Sequence, residues 1–315
     1  MTEKYNDLNL SSDLTDELLK RVSDELCPEG NWRMSNVMEK LLRLQMNSLP
    51  QRIISEEETR YPTQLASMRS FLDIFFARHY FQVQDCLLAY MTSEEFLNLL
   101  DKRELNVLDI GCGPAVASLA ITDMLTCILR HLEGISLRAY TKEIRIRYIL
   151  NDTEALCLGV GQQLLENYFR LSRQHSQLHQ NGMFAIEKGF PSNMIQLKRL
   201  HDNIGPYDIT NFSYVVNPLN EEEGLGNLSA GLLQVENLCS ASGRILILQD
   251  RFSNSLMRRI VRAIGQSCRK RVLSQHVYST GNSNALYTYS YYCCLFGASG
   301  RQAERDQGTM ATVTR

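Results

Sequence analysis

Residues 107–115 read Val-Leu-Asp-Ile-Gly-Cys-Gly-Pro-Ala: an apolar run carrying one acid, then two glycines separated by a single residue. That order of types suits a buried strand that turns at once into a helix. Val107, Leu108 and Ile110 supply the strand, and Gly111 and Gly113 remove the Cβ atoms that would keep the backbone away from a ligand. Asp109 is the acid beside that gap, and Cys112 sits between the glycines. Pro114 suits the first turn of a helix, where its missing N–H costs nothing, and Val116, Leu119, Ala120 and the apolar residues up to Leu132 continue at helical spacing. A strand–glycine turn–helix of this kind builds a nucleotide pocket.

In these residues the chain resembles class I S-adenosylmethionine (SAM)-dependent methyltransferases. Their first motif is an acid followed by Gly-x-Gly-x-Gly after a hydrophobic strand, and Ala115 stands here for the third glycine. A small residue there suffices for close strand–helix packing. The resemblance implies an α/β fold with a seven-stranded Rossmann-like sheet, mostly parallel with the last strand antiparallel, and SAM held against Asp109, Gly111, Cys112 and Gly113.

Further elements follow in the order this family requires. Ile144, Ile146, Tyr148 and Leu150 alternate with Arg145, Arg147, Ile149 and Asn151 as a second strand, ending at Asp152-Thr153-Glu154. The resemblance implies that the acid closing this strand accepts hydrogen bonds from the ribose hydroxyls, a role that falls on Asp152 with Thr153 beside it. Asp152 or Thr153 reads equally as the N-cap of a helix over 155–171. Residues 183–187 predict a third strand. At the following Gly189-Phe190-Pro191 the acid that often reads the adenine amino group is missing, and Phe190 is either an adenine-stacking ring or a core aromatic. Residues 207–216 predict a fourth strand, with Asp208, Ser213 and Tyr214 fitting the family pattern. Asn217-Pro218 matches only half of the amino-group methyltransferase signature, because Leu219-Asn220 replace the rest. Ser242-Gly243-Arg244 leads into Ile245–Leu248 as a fifth strand, and a helix over 255–265 and strands over 272–278 and 285–296 complete the core.

The core is thus expected over 106–296. Residues 1–105 are a helical extension: Leu14, Leu18, Val22 and Leu26 share one face; Val37, Leu41 and Leu44, with Met38 and Leu42, mark a second helix; Leu65 through Tyr90 mark a third. Thr92 and Glu95 read as a capping box opening a fourth. In the resembled family such extensions cover the cofactor mouth, shape the acceptor pocket or pair two subunits, so a homodimer through the cap is one of three roles the resemblance allows. A packed cap without ligand contacts is the alternative. The polar stretch 297–315 is expected to be disordered.

Composition bounds the rest. With 315 residues and 44% hydrophobic residues, the chain can bury a large core. No run is long and apolar enough to span a membrane, and the opening Met-Thr-Glu-Lys-Tyr lacks a signal-peptide shape, so a cytoplasmic protein without membrane association is expected. Nine cysteines without a CxxC pair read as reduced, mostly buried thiols. No metal is expected: His175 and His179 lie one helical turn apart, but no third ligand joins them. Arg258, Arg259, Arg262, Arg269, Lys270 and Arg271 cluster, but against a net charge of −2 they read as a solvated face before a phosphate-binding one. The function expected is an enzyme's: SAM-dependent methyl transfer to a small-molecule acceptor by in-line displacement, with His79, Tyr80 and Tyr214 as candidate bases. An RNA- or ribosome-associated methyltransferase-like protein, or a SAM-fold binding protein without activity, are the alternatives.

Overall fold

A computed structural model describes residues 12–50, 62–135, 143–172, 177–213, 223–249, 254–276 and 286–297. Tyr214, His175, Asn217-Pro218, Glu221-Glu222 and the tail after Gly297 lie outside these residues.

From residue 104 onward, strand and helix alternate: β2 (Glu104–Ile110), α5 (Val116–Gly134), β3 (Ile144–Asp152), α6 (Ala155–Ser172), β4 (Leu178–Glu187), α7 (Met194–Ile204), β5 (Tyr207–Ser213), α8 (Glu223–Glu236), β6 (Cys239–Gln249), α9 (Asn254–Ala263), β7 (Arg269–His276) and β8 (Leu286–Gly297). Ahead of them come α1 (Ser12–Leu26), β1 (Asn31–Trp32), α2 (Asn36–Ser48), α3 (Leu65–Met91) and α4 (Glu94–Leu100). β2 and β5 are buried at almost every position, as strands covered by helices on both faces must be.

The sheet has the order β1-β7-β8-β6-β5-β2-β3-β4. β2 is the switch point: the chain steps outward through β3 and β4 on one side and through β5 and β6 on the other, all parallel. β8 then runs antiparallel between β6 and β7. The result is a doubly wound, mostly parallel sheet with an antiparallel last strand, as the resemblance implies. The strand count is eight, not seven. The added strand comes from the extension, where Asn31-Trp32 pairs in parallel with Ser274-Gln275 on the edge strand β7 and buries Trp32.

The N-terminal helices share the core of the sheet domain. A single buried cluster runs from Leu18, Val22 and Leu26 through Met68, Leu72 and Phe76 to Val107, Leu119 and Tyr291. A second cluster, on the opposite face, gathers Leu108, Ile110 and Phe212 with residues of α7, α8 and α9. A buried polar hub ties cap to core. Asp123 of α5 accepts hydrogen bonds from Ser35 Oγ at 2.7 Å, from Tyr168 Oη of α6 at 2.8 Å, and from Tyr80 Oη of α3. Ser35 is also the N-cap of α2, accepting from the Met38 N–H at 3.1 Å.

Several local expectations change. The cap of α4 is Ser93, which accepts from the Phe96 N–H, while the Thr92 hydroxyl closes α3 by donating to the Leu88 carbonyl at 2.8 Å. The buried face of α2 is Met38, Leu41, Gln45 and Met46, leaving Leu44 in solvent. His179 lies on strand β4 and not at a helix end, because period-two pairing with β3 claims that segment from Leu178. α7 had no sequence signal strong enough to be expected. All nine cysteines are free thiols, six of them buried. Among the described residues, no helix is long and apolar enough to cross a membrane.

Candidate functional site

The carboxyl ends of β2, β3, β4 and β5 meet at one edge of the sheet, and the glycine turn is built there by backbone geometry. Gly111 and Gly113 adopt φ of +63° and +51°, values that side chains with a Cβ rarely tolerate. The Cys112 N–H donates to the Asn151 carbonyl at 2.9 Å, fastening the turn to β3, and the Ala115 N–H donates to the Cys112 carbonyl at 2.9 Å, closing it. Ala115 itself, the N-cap of α5, sits at φ +57°. Alanine in that region costs about 1–2 kcal/mol, which explains why a glycine would be the expected residue. Pro114 precedes the cap and so lies in the turn, not in the first turn of the helix. Tight packing surrounds it: a Cβ added to Gly161 of α6 would lie 2.9 Å from the Ala115 Cβ and 3.1 Å from its nitrogen.

Two carboxylates flank this turn. Asp152, buried at the end of β3, accepts from the Gly113 N–H at 2.8 Å and from the Glu154 N–H at 3.0 Å. It therefore locks the second glycine in place while capping the turn into α6. Asp109 is fully buried and faces inward. Its Oδ2 accepts from the Ser118 hydroxyl at 2.7 Å and the Ser118 N–H at 3.2 Å, and its Oδ1 accepts from Asn211 Nδ2 at 2.7 Å. Asn211 in turn accepts from the Ser213 hydroxyl at 2.6 Å, so a chain of hydrogen bonds links the start of α5 to the end of β5. Burial pushes the Asp109 carboxyl up to about 6, against the pull of its Asn211 and Ser118 donors, and the nearby Asp152 charge adds to the rise. Burial also raises the Cys112 thiol well above its ordinary range, and its Sγ faces the Gly113 carbonyl.

The remaining candidates fall on the same edge. Thr153 is exposed, with its methyl in van der Waals range of the Cβ position of Gly189. Phe190 is half-buried. Its ring meets Phe212 edge-on at 5.2 Å, and Gly231 of α8 leaves it room, since a Cβ there would come within 2.7 Å of the ring. Its visible contacts are thus those of a packing aromatic. Among the residues that sequence reasoning missed is Asn193, three residues on. It is fully buried, and among the described residues neither of its side-chain amide atoms has a hydrogen-bond partner. The missing acid at 189–191 was the available signal.

The candidate bases separate. Tyr80 is fully buried on Asp123, and burial with that neighbouring charge raises its phenol well above the ordinary value, so it is withdrawn as a base. His79 stacks on Phe75 at 5.5 Å with Phe71 at its edge, and burial together with Arg78 pushes it down to about 3. It is neutral at physiological pH and a weak base. Asp109, Gly111, Cys112, Gly113, Asp152, Thr153, Phe190 and Ser213 converge as one connected edge; His79 and Tyr80 belong to α3.

No protein-family model matches the chain, and a search of curated proteins finds no match either. Among solved structures, it is similar to a precorrin-6Y C5,15-methyltransferase from Geobacter metallireducens, at 12% identity and a TM-score of 0.36 over 65% of this chain and 88% of that one. It is also similar to the DszA carbon methyltransferase, at 13% identity and a TM-score of 0.39 over 91% and 66% of the two chains. A third similar structure is a putative RNA methyltransferase from Pyrococcus horikoshii, at 9% identity and a TM-score of 0.35 over 84% and 98%.

Proposed function

We propose that the chain binds S-adenosylmethionine at the carboxyl edge of β2–β5 and transfers its methyl group to a small-molecule acceptor. The observation that carries this reading is the glycine turn at the switch point of the sheet, clamped by a buried acid from the neighbouring strand. Ligands of doubly wound sheets bind at this crevice. The donor set fits the cofactor: two carboxylates suit a cationic sulfonium nucleoside, and Asp152, held at a fixed angle by two backbone amides, is an acceptor-only group of the kind ribose hydroxyls require. Asn193 adds a paired acceptor and donor for an adenine edge, and pairing it would remove the roughly 1–3 kcal/mol that an unsatisfied buried amide costs.

When bound, SAM supplies an electrophilic methyl on a sulfonium. The chain's own work is then to fix the nucleoside and admit the acceptor in line with the C–S bond. Gly111 and Gly113 allow the approach, Asp152 orients the ribose, and the Ser118–Asp109–Asn211–Ser213 chain keeps the two central strand ends rigid. The N-terminal extension reaches this edge, where Cys157 Sγ in the first turn of α6 donates to the Pro62 carbonyl at 3.6 Å. Tyr80 is buried on Asp123 and His79 is only weakly basic, so the part assigned to the described residues is alignment of donor and acceptor.

Calorimetry with SAM tests the reading. Wild-type protein should bind, and Gly111→Val should not, because a β-branched residue at φ +63° both strains the turn and fills the approach. Wild-type affinity in a folded Gly111→Val variant would show that this turn is not the cofactor site. Mass spectrometry of lysate small molecules after incubation with labelled SAM would then identify the acceptor.

A further inference from the structure

At the far end of α5 from the glycine turn, three side chains of metal-ligating type converge. Cys127 and His131 are four residues apart on that helix, and therefore on one face of it. Glu25, from the last turn of α1, reaches the same spot, so that one donor atom from each residue lies within 4.8 Å of the other two. His131 Nε2 and Glu25 Oε2 already stand 2.9 Å apart. Cys127 is buried, while the side chains of His131 and Glu25 are 22% and 36% exposed, so the sulfur forms the floor of the cluster and solvent reaches its rim.

We infer that Glu25, Cys127 and His131 form a site for a divalent metal ion of zinc-like character, which would clasp α1 onto α5. Thiolate, imidazole and carboxylate together suit zinc, and tetrahedral bonds of about 2.0–2.3 Å place neighbouring ligand atoms roughly 3.3–3.6 Å apart. The donor atoms stand within 4.8 Å of one another, and rotation of the His131 and Glu25 side chains would bring them toward that spacing. On binding, the Cys127 thiol loses its proton to solvent, the ion takes the place of the hydrogen bond between His131 and Glu25, and water completes the fourth position. One competitor is present: the Arg130 guanidinium pairs with Glu25 and lies 3.8 Å from the Cys127 sulfur. Its side chain is 54% exposed, so it can swing into water as the ion enters. Residues 127–131 lie 11–15 positions beyond Val116, or about 16–22 Å along the helix, so the ion is structural and takes no part in methyl transfer.

Cobalt(II), added to the full-length metal-free protein, is the probe. The expected result is a single saturable site with a thiolate-to-cobalt charge-transfer band and intense tetrahedral d–d bands, both removed by zinc. Cys127→Ser should abolish the charge-transfer band. His131→Ala and Glu25→Gln should each weaken cobalt binding at least roughly tenfold, since even outer-sphere changes cost that much. Cys268→Ser, at a half-buried cysteine elsewhere, should leave the spectrum unchanged. Arg130→Gln should tighten binding severalfold by removing the competing cation, a gain that misfolding cannot produce. Absence of the band at saturating cobalt, its survival in a folded Cys127→Ser variant, its loss in Cys268→Ser, or weaker binding in Arg130→Gln would each overturn the assignment.

Discussion

Asp152→Ala isolates the acid that joins the glycine turn to the second strand. In the folded chain this carboxylate holds the Gly113 N–H at 2.8 Å and the Glu154 N–H at 3.0 Å. Hydrogen bonds to a charged group are each worth about 1.5–3 kcal/mol. If the ribose hydroxyls bind here, losing even one such bond raises the SAM dissociation constant by roughly 10- to 150-fold, at 1.36 kcal/mol per factor of ten. The released Gly113 amide widens the turn and adds to that loss. Glu154→Ala is the control, because Glu154 contributes only its backbone N–H to this geometry and keeps it in the variant. Titration calorimetry gives both affinities, and thermal melts of the same samples separate loss of the site from loss of the fold. A folded Asp152→Ala protein that binds SAM within about twofold of wild type, or a Glu154→Ala variant weakened equally, would refute the ribose role.

Two further perturbations test the electrostatics and the packing of the same edge. Asp109 titrates at about 6 in the folded chain against 3.8 ordinarily, so the native state holds a proton that the unfolded chain has released between those values; stability contributed by this group is present below about pH 4 and is lost as pH rises to about 6, by about 3 kcal/mol. Asp109→Asn should therefore remove that downward slope in denaturant midpoints, and an unchanged slope would show that the acid does not titrate there. Gly161→Ala should cost about 1–3 kcal/mol, because its Cβ meets Ala115 atoms at 2.9–3.1 Å. Ala115→Gly should recover part of that loss by removing the opposing methyl and relieving φ +57°, and strictly additive costs in a double-mutant cycle would disprove the contact.

The core elements were legible because their signals are local. Continuous apolar runs bounded by turns gave β2 and β6, alternation gave β3, the family pattern gave β5, and the spacing of Gly111 and Gly113 placed the turn where both glycines take positive φ. What stayed hidden is set by partners distant in sequence. Asn31-Trp32 becomes a strand only because β7 offers an open edge 243 positions away, at Ser274 and Gln275. Tyr80 looked available beside His79, but its partner Asp123 lies in another helix and buries it. The inward turn of Asp109 onto Asn211 follows from strand register, which pairs those two residues across β2 and β5. Likewise the Cys127 and His131 spacing was visible on one helix, whereas Glu25 reaches it only through the docking of α1.

That docking decides how acceptor chemistry can be separated from cofactor binding. The helix that begins at the glycine turn, α5, is also the surface on which the extension folds: Asp123 on α5 gathers Ser35, Tyr80 and Tyr168, and Glu25 of α1 ion-pairs with Arg130 and hydrogen-bonds with His131 near its end. Leu18, Val22, Leu26, Met38 and Leu41 are almost wholly buried in the same cluster as Leu119 and Met124. Cutting away α1 and α2 would therefore expose a large part of the apolar core, remove the edge pairing of β7 and leave the Asp123 carboxylate short of a donor. A buried carboxylate short of a donor and newly bared apolar surface are both destabilising. Truncation cannot distinguish a cap that shapes the acceptor pocket from one that only packs. Point changes on the half-buried Phe71, Phe75 and His79 face of α3 can, because they lie outside the Asp123 hub and leave the glycine turn untouched.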